Sequence, residues 1–514
     1  MARSEDGPGG DPLLVGLDLG TTGAKAGLVT TEGQVIATAS VEYETDTPRP
    51  GWAEQDPHAW WEASAAAITR LLELAGRRAG AVCGVGLSGQ MHGSVFLDES
   101  NEVIRPCILW CDQRTAPQCE RIMEIVSREE LAEWVANPAL PGFTAPKVLW
   151  LRDNEASNYS RVATLLLPKD YVNLRLTGNL ATEVSDASGT LLFDVRQRAW
   201  SRPMLDALEI PADWLPRVHE SFEQIGVVTR EASSATGLPA GIPVAAGGAD
   251  NACGAIGMGV VAPGDVAVSI GTSGTVLAPT LEPAVDPEMR IHTFCHAIPG
   301  TWYLMGVMLA AGLSLRWFRD ELGEPEVSAA ASLGGDPYEL LDKTAARAPA
   351  GCDGLVFLPY LTGERTPHAD PDARGVLFGL DLTKTRAHVV RAVMEGVVFG
   401  LADSVGIMRE LGVPLERVVG GGGGSRSRLW RQMEADVFGL PIVPAGQSDS
   451  AMLGAALLAG VASGVFVSVE DACGRAVSRG EPLEPDRSNE EPYRRSYALF
   501  RSLYPALAPF FKTP

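Results

Sequence analysis

Positive charge is scarce in this chain, and none of it is gathered. Lysine and arginine number 42 against 64 aspartates and glutamates, a formal net charge of −22. Nucleic-acid binders neutralise phosphates with clustered Lys/Arg, so no nucleic-acid partner is expected. The eight cysteines include no Cys-x-x-Cys pair and no His/Cys cluster at zinc spacing. A chain of 514 residues has little need of a disulfide framework, so reduced thiols are expected. The first residues, Met1 to Pro12, are polar and lack the apolar core of a signal peptide. The longest apolar helical stretch, Met452 to Val465, is too short to span a bilayer. A cytoplasmic protein without a membrane partner is the expectation. A phosphate loop of the GxxxxGK[ST] type is also missing. Phosphate groups would therefore have to be held by Gly-rich turns, helix N-termini and a bound metal.

Hydrophobic residues make up 46% of the chain, enough for two large cores. Leu13–Asp18 reads as a buried strand, Gly20-Thr21-Thr22-Gly23 breaks it, and Ala24–Thr30 and Gln34–Tyr43 continue an antiparallel meander. The pattern returns far downstream: Asp265–Ile270, then Gly271-Thr272-Ser273-Gly274, then Thr275–Pro279. Two copies of one folding unit are implied, with Asp18 in the first where Ser269 stands in the second. The boundary is placed near Gly257, giving residues 1–257 and 258–514. Asp56-Pro57 opens a helix over His58–Ala75 with an apolar stripe through Trp61, Ala65, Ile68 and Leu72. Short strands end in Gly89-Gln90-Met91-His92-Gly93 and in Gly247-Gly248-Ala249-Asp250-Asn251. Later, a helix over His388–Leu411, a strand into Gly420–Gly424 and a helix through Trp430–Phe438 complete the pattern.

Several residue sets carry chemistry. Backbone N–H groups of a Gly/Thr turn, with hydroxyls beside them, form a nest for phosphate oxygens, although a plain hairpin turn has the same composition. Asp18 at a strand end fits Mg²⁺, which takes one or two carboxylates plus water and phosphates, or it caps the turn. The five glycines let a flat ligand approach the backbone, or serve as a linker. Asp250 suits a general base facing a cleft and equally a helix N-cap. Gln90, Met91 and His92 present an amide, an apolar surface and an imidazole, a set that fits a polyol, although a lone His is commonly structural.

These motifs resemble the FGGY family of carbohydrate kinases from Leu14 to about Tyr504. Leu17–Lys25 is similar to the family's first phosphate loop, and Gly142–Trp150 and Gly375–Leu380, continued to His388 and Glu395, are similar to its two long patterns. Gly89–Gly93, Ile108–Asp112, Leu167–Tyr171, Ser185–Thr190 and Leu358–Pro367 resemble the members that act on xylulose. Cys111, where asparagine is common, and Ala249, in place of a third glycine, depart from that pattern. The resemblance implies an α/β fold of two actin-like (ribonuclease-H-like) domains around a deep catalytic cleft, the first binding sugar and the second nucleotide. It implies ATP and Mg²⁺, with Asp18 at the metal and Asp250 as base. Gln90, Met91, His92, Asp112, Asp250 and Asn251 would line the sugar. Thr21, Thr22, Lys25, Gly271, Thr272, Ser273, Gly274, Gly422, Gly423, Gly424, Ser425 and Trp317 would contact nucleotide. The expected partners are D-xylulose or a related small sugar, ATP and ADP, and a second copy of the chain in a homodimer.

Overall fold

In the computed structural model, which describes residues 11–512, both Gly/Thr turns close hairpins. β1 (Leu13–Leu19) runs antiparallel to β2 (Gly23–Thr30), and β2 to β3 (Val35–Glu42). On its other side β1 is parallel to β4 (Val82–Gly89). The sheet continues through β5 (Gln224–Val227) and β6 (Pro243–Ala245) in the order β5-β6-β4-β1-β2-β3, and the short β7 (Gly248–Ala249) also joins β4. The second half repeats the plan. β8 (Gly264–Ile270) is antiparallel to β9 (Gly274–Thr280) and parallel to β12 (Leu415–Gly421), while β10 (His292–Cys295), β11 (Trp302–Met308) and β13 (Ile442–Pro444) extend the sheet in the order β10-β11-β9-β8-β12-β13.

The register makes the repeat explicit. Asp18 stands between Lys25 and Ser88, and Ser269 stands between Thr275 and Gly421. The glycine run is thus the second-half counterpart of the Ser88–Gln90 strand end. Two of its glycines belong to β12, and a short 3-10 turn, Gly423–Arg426, follows.

Helix α1 (Pro57–Ala75) starts as expected, with the Asp56 carboxylate accepting from the His58 N–H and Pro57 at the first position. Its buried stripe differs from expectation: Trp60, not Trp61, is fully buried, because the Trp60 indole N–H reaches the Gln55 amide oxygen at 2.9 Å. The helices that place the functional groups are α2 (Thr144–Asn154), α3 (Asp250–Gly257), α4 (Gly312–Leu322), α5 (Arg386–Glu410), α6 (Arg428–Phe438) and α7 (Ser450–Ala462). The apolar stretch around Met452 is buried α7, and no helix among the described residues is long and apolar enough to cross a membrane. All eight cysteines are unpaired.

Although it comes late in the chain, α7 lies on the first sheet. A Cβ on Gly16 would stand 2.0 Å from the Met452 carbonyl oxygen, and one on Gly86 2.1 Å from that of Ala455. Backbone meets backbone there, which only glycine permits. The α3–α7 contact is built the same way, with Gly257 against Ser450 and Gly454 against Cys253.

Candidate active site

Asp18, next to last in β1, has one carboxylate oxygen accepting from the Ser88 hydroxyl at 2.8 Å; the other has no hydrogen-bond partner among the described residues. Burial, then the nearby Asp449 charge, raises its pKa, while Ser88 opposes the shift. The following turn is braced rather than loose. Its Thr21 carbonyl accepts from the Gln55 amide at 2.6 Å, the Thr21 hydroxyl accepts from the Trp110 indole at 3.0 Å, and the Tyr43 hydroxyl donates to the Gly20 carbonyl. Thr22 is exposed at the tip. Lys25 does not stand free for a phosphate: its ammonium pairs with Asp449 at 2.5 Å, just before α7 begins.

Gln55 also ties this turn to the strand end that carries the sugar motif, since its amide oxygen accepts from the Gln90 side chain at 3.1 Å. The Gln90 side-chain oxygen is buried and has no partner. His92 follows in left-handed backbone geometry with φ 71°. The fully buried Lys147 ammonium holds that backbone by donating to the carbonyls of His92 (2.8 Å) and Gly142 (2.7 Å). Burial lowers Lys147 to about 8. His92 is likewise pushed down, to about 3, first by burial, so its ring is neutral at working pH. Its Nδ1 lies 2.6 Å from the Gly189 carbonyl oxygen. A carbonyl only accepts, so Nδ1 carries the proton and Nε2 presents a bare lone pair. Met91 packs beside it, and Phe143 backs the ring with centroids 4.8 Å apart.

Asp250 is the first residue of α3, with Ala249 in the cap position, so it is not the helix N-cap. Its Oδ1 accepts from both the backbone N–H and the side-chain amide of Asn251, each at 2.7 Å. Its Oδ2 has no partner among the described residues. Burial, reinforced by the charge of Asp18, raises the Asp250 carboxyl to about 7, against a weaker opposing effect of the Asn251 bonds. The sharp turn before it depends on Gly247, at φ 81° and so close to β4 that a Cβ would stand 2.1 Å from the Leu87 carbonyl oxygen. Asp18 and Asp250 thus form a pair of electrostatically coupled carboxylates, each with one unengaged oxygen.

A cavity of about 650 Å³ opens beside the second Gly/Thr turn, lined by Gly271, Thr272, Gly423, Gly424, Tyr338 and Trp430 among others. It is the size of a small-ligand site. The start of α4 rests on the turn, with the Gly312 N–H donating to the Gly271 carbonyl at 2.9 Å, so a helix N-terminus faces this region. Ser273 is partly and Gly274 fully buried behind the turn, and the Thr272 hydroxyl accepts from Arg316 at 3.1 Å. Gly422, at φ 73°, presses on the Ile270 carbonyl, and Ser425 donates to the Gly422 carbonyl at 2.8 Å, closing the loop on itself.

Two of the expected site residues stand elsewhere or are otherwise engaged. Trp317 does not line this cavity: it lies on another face of α4, stacked on Phe357 with centroids 6.1 Å apart, and Trp430 occupies the cavity wall instead. Asp112 is fully buried and saturated, accepting from the Ala53 N–H (2.6 Å), the Arg114 N–H (2.8 Å) and the Arg114 guanidinium (2.7 Å to the nearer nitrogen). It anchors the Trp110 loop and offers no free oxygen to a sugar. Sequence reasoning missed Gln55, Lys147 and Asp449. Lys147 sits inside the Gly142–Trp150 pattern, but nothing in the sequence marked Gln55 or Asp449.

Residues 13–257 match the N-terminal domain of the FGGY family of carbohydrate kinases, and residues 266–463 match its C-terminal domain. The chain belongs to the FGGY family. Among FGGY proteins, the chain is 38% identical to the xylulose kinase of Bacillus subtilis, over 96% of both chains. It is 31% identical to the gluconokinase of the same organism, over 95% of both. The solved xylulose kinase of Rhodospirillum rubrum superposes with a TM-score of 0.88 at 32% identity, covering 98% of this chain and all of that one. The two-lobed, actin-like α/β architecture is therefore the family's, and the protein is a carbohydrate kinase, an enzyme that phosphorylates a sugar.

Proposed function

We propose that the enzyme transfers the terminal phosphoryl group of ATP to the C5 hydroxyl of D-xylulose, with Asp250 as general base. The observation that carries this reading is the Asp250 carboxyl: fixed at the start of α3, one oxygen anchored by Asn251, the other free, and titrating near neutral pH. A base works best when its pKa lies near the operating pH. The choice of xylulose rests on the relatives that bear that name at 38% identity, and on a sugar subsite of Gln90, Met91 and His92.

In this scheme the first half, residues 1–257, holds sugar, and the second, residues 258–514, holds nucleotide. Asp250 Oδ2 takes the proton of the attacking hydroxyl. His92 Nε2 accepts a hydrogen bond from a second hydroxyl, and the unsatisfied Gln90 oxygen accepts another. The two turns, through Thr21, Thr22 and Gly271–Gly274, hold phosphates, while Gly422–Gly424 and Ser425 border the nucleoside. Among the described residues, no three His, Cys, Asp or Glu side chains gather into a metal cage. The single free oxygen of Asp18 instead fits Mg²⁺, whose remaining ligands are water and phosphate oxygens. That ion would neutralise phosphate charge, the main demand of a loose phosphoryl-transfer transition state. Closing the lobes excludes water and limits wasteful ATP hydrolysis.

A coupled ADP-release assay over D-xylulose, D-ribulose, D-gluconate and glycerol tests the assignment. D-Xylulose should give the highest kcat/KM; a higher value for gluconate or glycerol would overturn it.

A further inference from the structure

A second cavity, of about 630 Å³, opens between the two halves of the chain, with His292 of the His92–Phe143–His292 aromatic group in its wall. Its first-half wall carries Arg128, and its second-half wall carries Arg290, His292 and Arg365. Asp250, Asn251, Met91 and His92 do not line it.

The guanidinium of Arg365 is the anomaly. Its side chain is partly buried and makes no hydrogen bond or ion pair among the described residues. Its neighbour Glu364 acts on it through space but makes no hydrogen bond to its guanidinium: one Glu364 oxygen accepts from the backbone N–H groups of Leu309 and Arg365, and the other is buried without a partner. The guanidinium instead abuts the first half, where a Cβ on Gly142 would come within 3.3 Å of its Nη2. A guanidinium with free N–H groups at a cavity wall can take up an anion. Arg128, at the start of the helix Arg128–Trp134, is exposed and also unpaired among the described residues. Arg290 is engaged by Asp286 and Glu410, and Glu288 is the one acid on the wall.

We propose that this cavity is a second binding site, distinct from the sugar and nucleotide sites, for a small phosphate-bearing anion gripped by Arg365 and Arg128. The planar fork of arginine matches phosphate oxygens two at a time. Because Arg128 and Arg365 stand on opposite halves, an anion between them favours the arrangement in which the halves approach, and occupancy couples to closure. Free phosphate and the phosphorylated sugar that the enzyme releases share the chemistry required.

Calorimetric titration of the whole protein with inorganic phosphate, and separately with a pentose 5-phosphate, tests the site. Saturating ADP and sugar are kept present to fill the other two sites. The wild type should bind at least one of the two ligands, and the arm that binds identifies the source. Arg365→Gln and Arg128→Ala should each weaken binding about 10-fold or more, with ADP affinity and melting temperature unchanged. No binding to the wild type, unaltered binding in both variants, or an anion that competes with the sugar for one site would overturn the proposal. None of these outcomes depends on which sugar is preferred.

Discussion

Asp250→Asn separates the catalytic and structural roles of one carboxylate with a single atom change. In the folded protein the Asp250 carboxyl titrates near 7, first because it is buried and second because Asp18 lies close by. Holding an ionised carboxylate there, against an ordinary value near 3.8, costs the folded state about 4 kcal/mol at most. The sign follows from the raised value. The cost is absent below the unfolded pKa, grows as pH rises, and is full above pH 7. Asparagine removes the charge yet keeps an oxygen to accept from Asn251, so the ligand-free variant should melt higher than wild type at pH 8 and equally at pH 4. Turnover should move the other way. General-base catalysis contributes roughly 10²–10⁴ in rate, so kcat should fall at least about a hundredfold while ADP affinity holds. In the wild type, the acid limb of kcat/KM should lie near pH 7, because the ionised form is the base. Steady-state kinetics, ADP titration and calorimetric melting on one preparation decide the matter. Turnover within a few-fold of wild type, or a variant that loses activity because it melts lower, would refute the reasoning.

Other outcomes are expected. His92→Asn, chosen because asparagine tolerates the positive φ at this position, should lower kcat/KM for D-xylulose about 10-fold, equivalent to about 1.4 kcal/mol, with ADP affinity unchanged. Asp18→Ala should abolish most turnover with at most partial rescue by excess Mg²⁺; near-normal activity would demote Asp18 to a turn brace. Lys147→Met should destabilise the protein, because the carbonyls of His92 and Gly142 lose their buried donor, and a thermal melt that does not fall would contradict that role. Small-angle scattering with sugar plus nucleotide should show a smaller radius of gyration than the free enzyme, and an unchanged value at saturation would count against lobe closure.

The duplicated meander was legible because each Gly/Thr turn interrupts an apolar run at the same place, and the structure sets Asp18 and Ser269 each in the pair next to the last before the turn. Asp250 was legible as a candidate through its glycine-rich approach, but its place at the first helical position, rather than the cap, depends on β7 pairing with β4, a contact between residues about 160 positions apart. Trp60 and Trp61 both fit an amphipathic pattern, and Gln55, five residues before Trp60, holds the indole of the buried one. The family resemblance put Trp317 at the nucleotide, while in the structure it stacks on Phe357. Asp112 was placed beside the sugar by its motif; Arg114, two residues on, consumes it. These differences share one cause: the partner that fixes each side chain, Gln55, Arg114 or Phe357, cannot be read from residue type or periodicity, whether it lies near or far along the chain.

The seam of α7 against Gly16 and Gly86 bears on how the chain can be divided. Although the two family matches follow one another along the sequence, the face of the first sheet is roofed by a segment that is translated some 200 residues after the boundary. A fragment ending at Gly257 would therefore leave apolar strands uncovered and would be prone to self-association. Supplied with the remaining residues in trans, it should recover its roof, and the pair should assemble as complementing pieces. During synthesis the same geometry makes the first half wait for the second, so cooperative folding of the whole chain, not sequential folding of two independent units, is built into the packing.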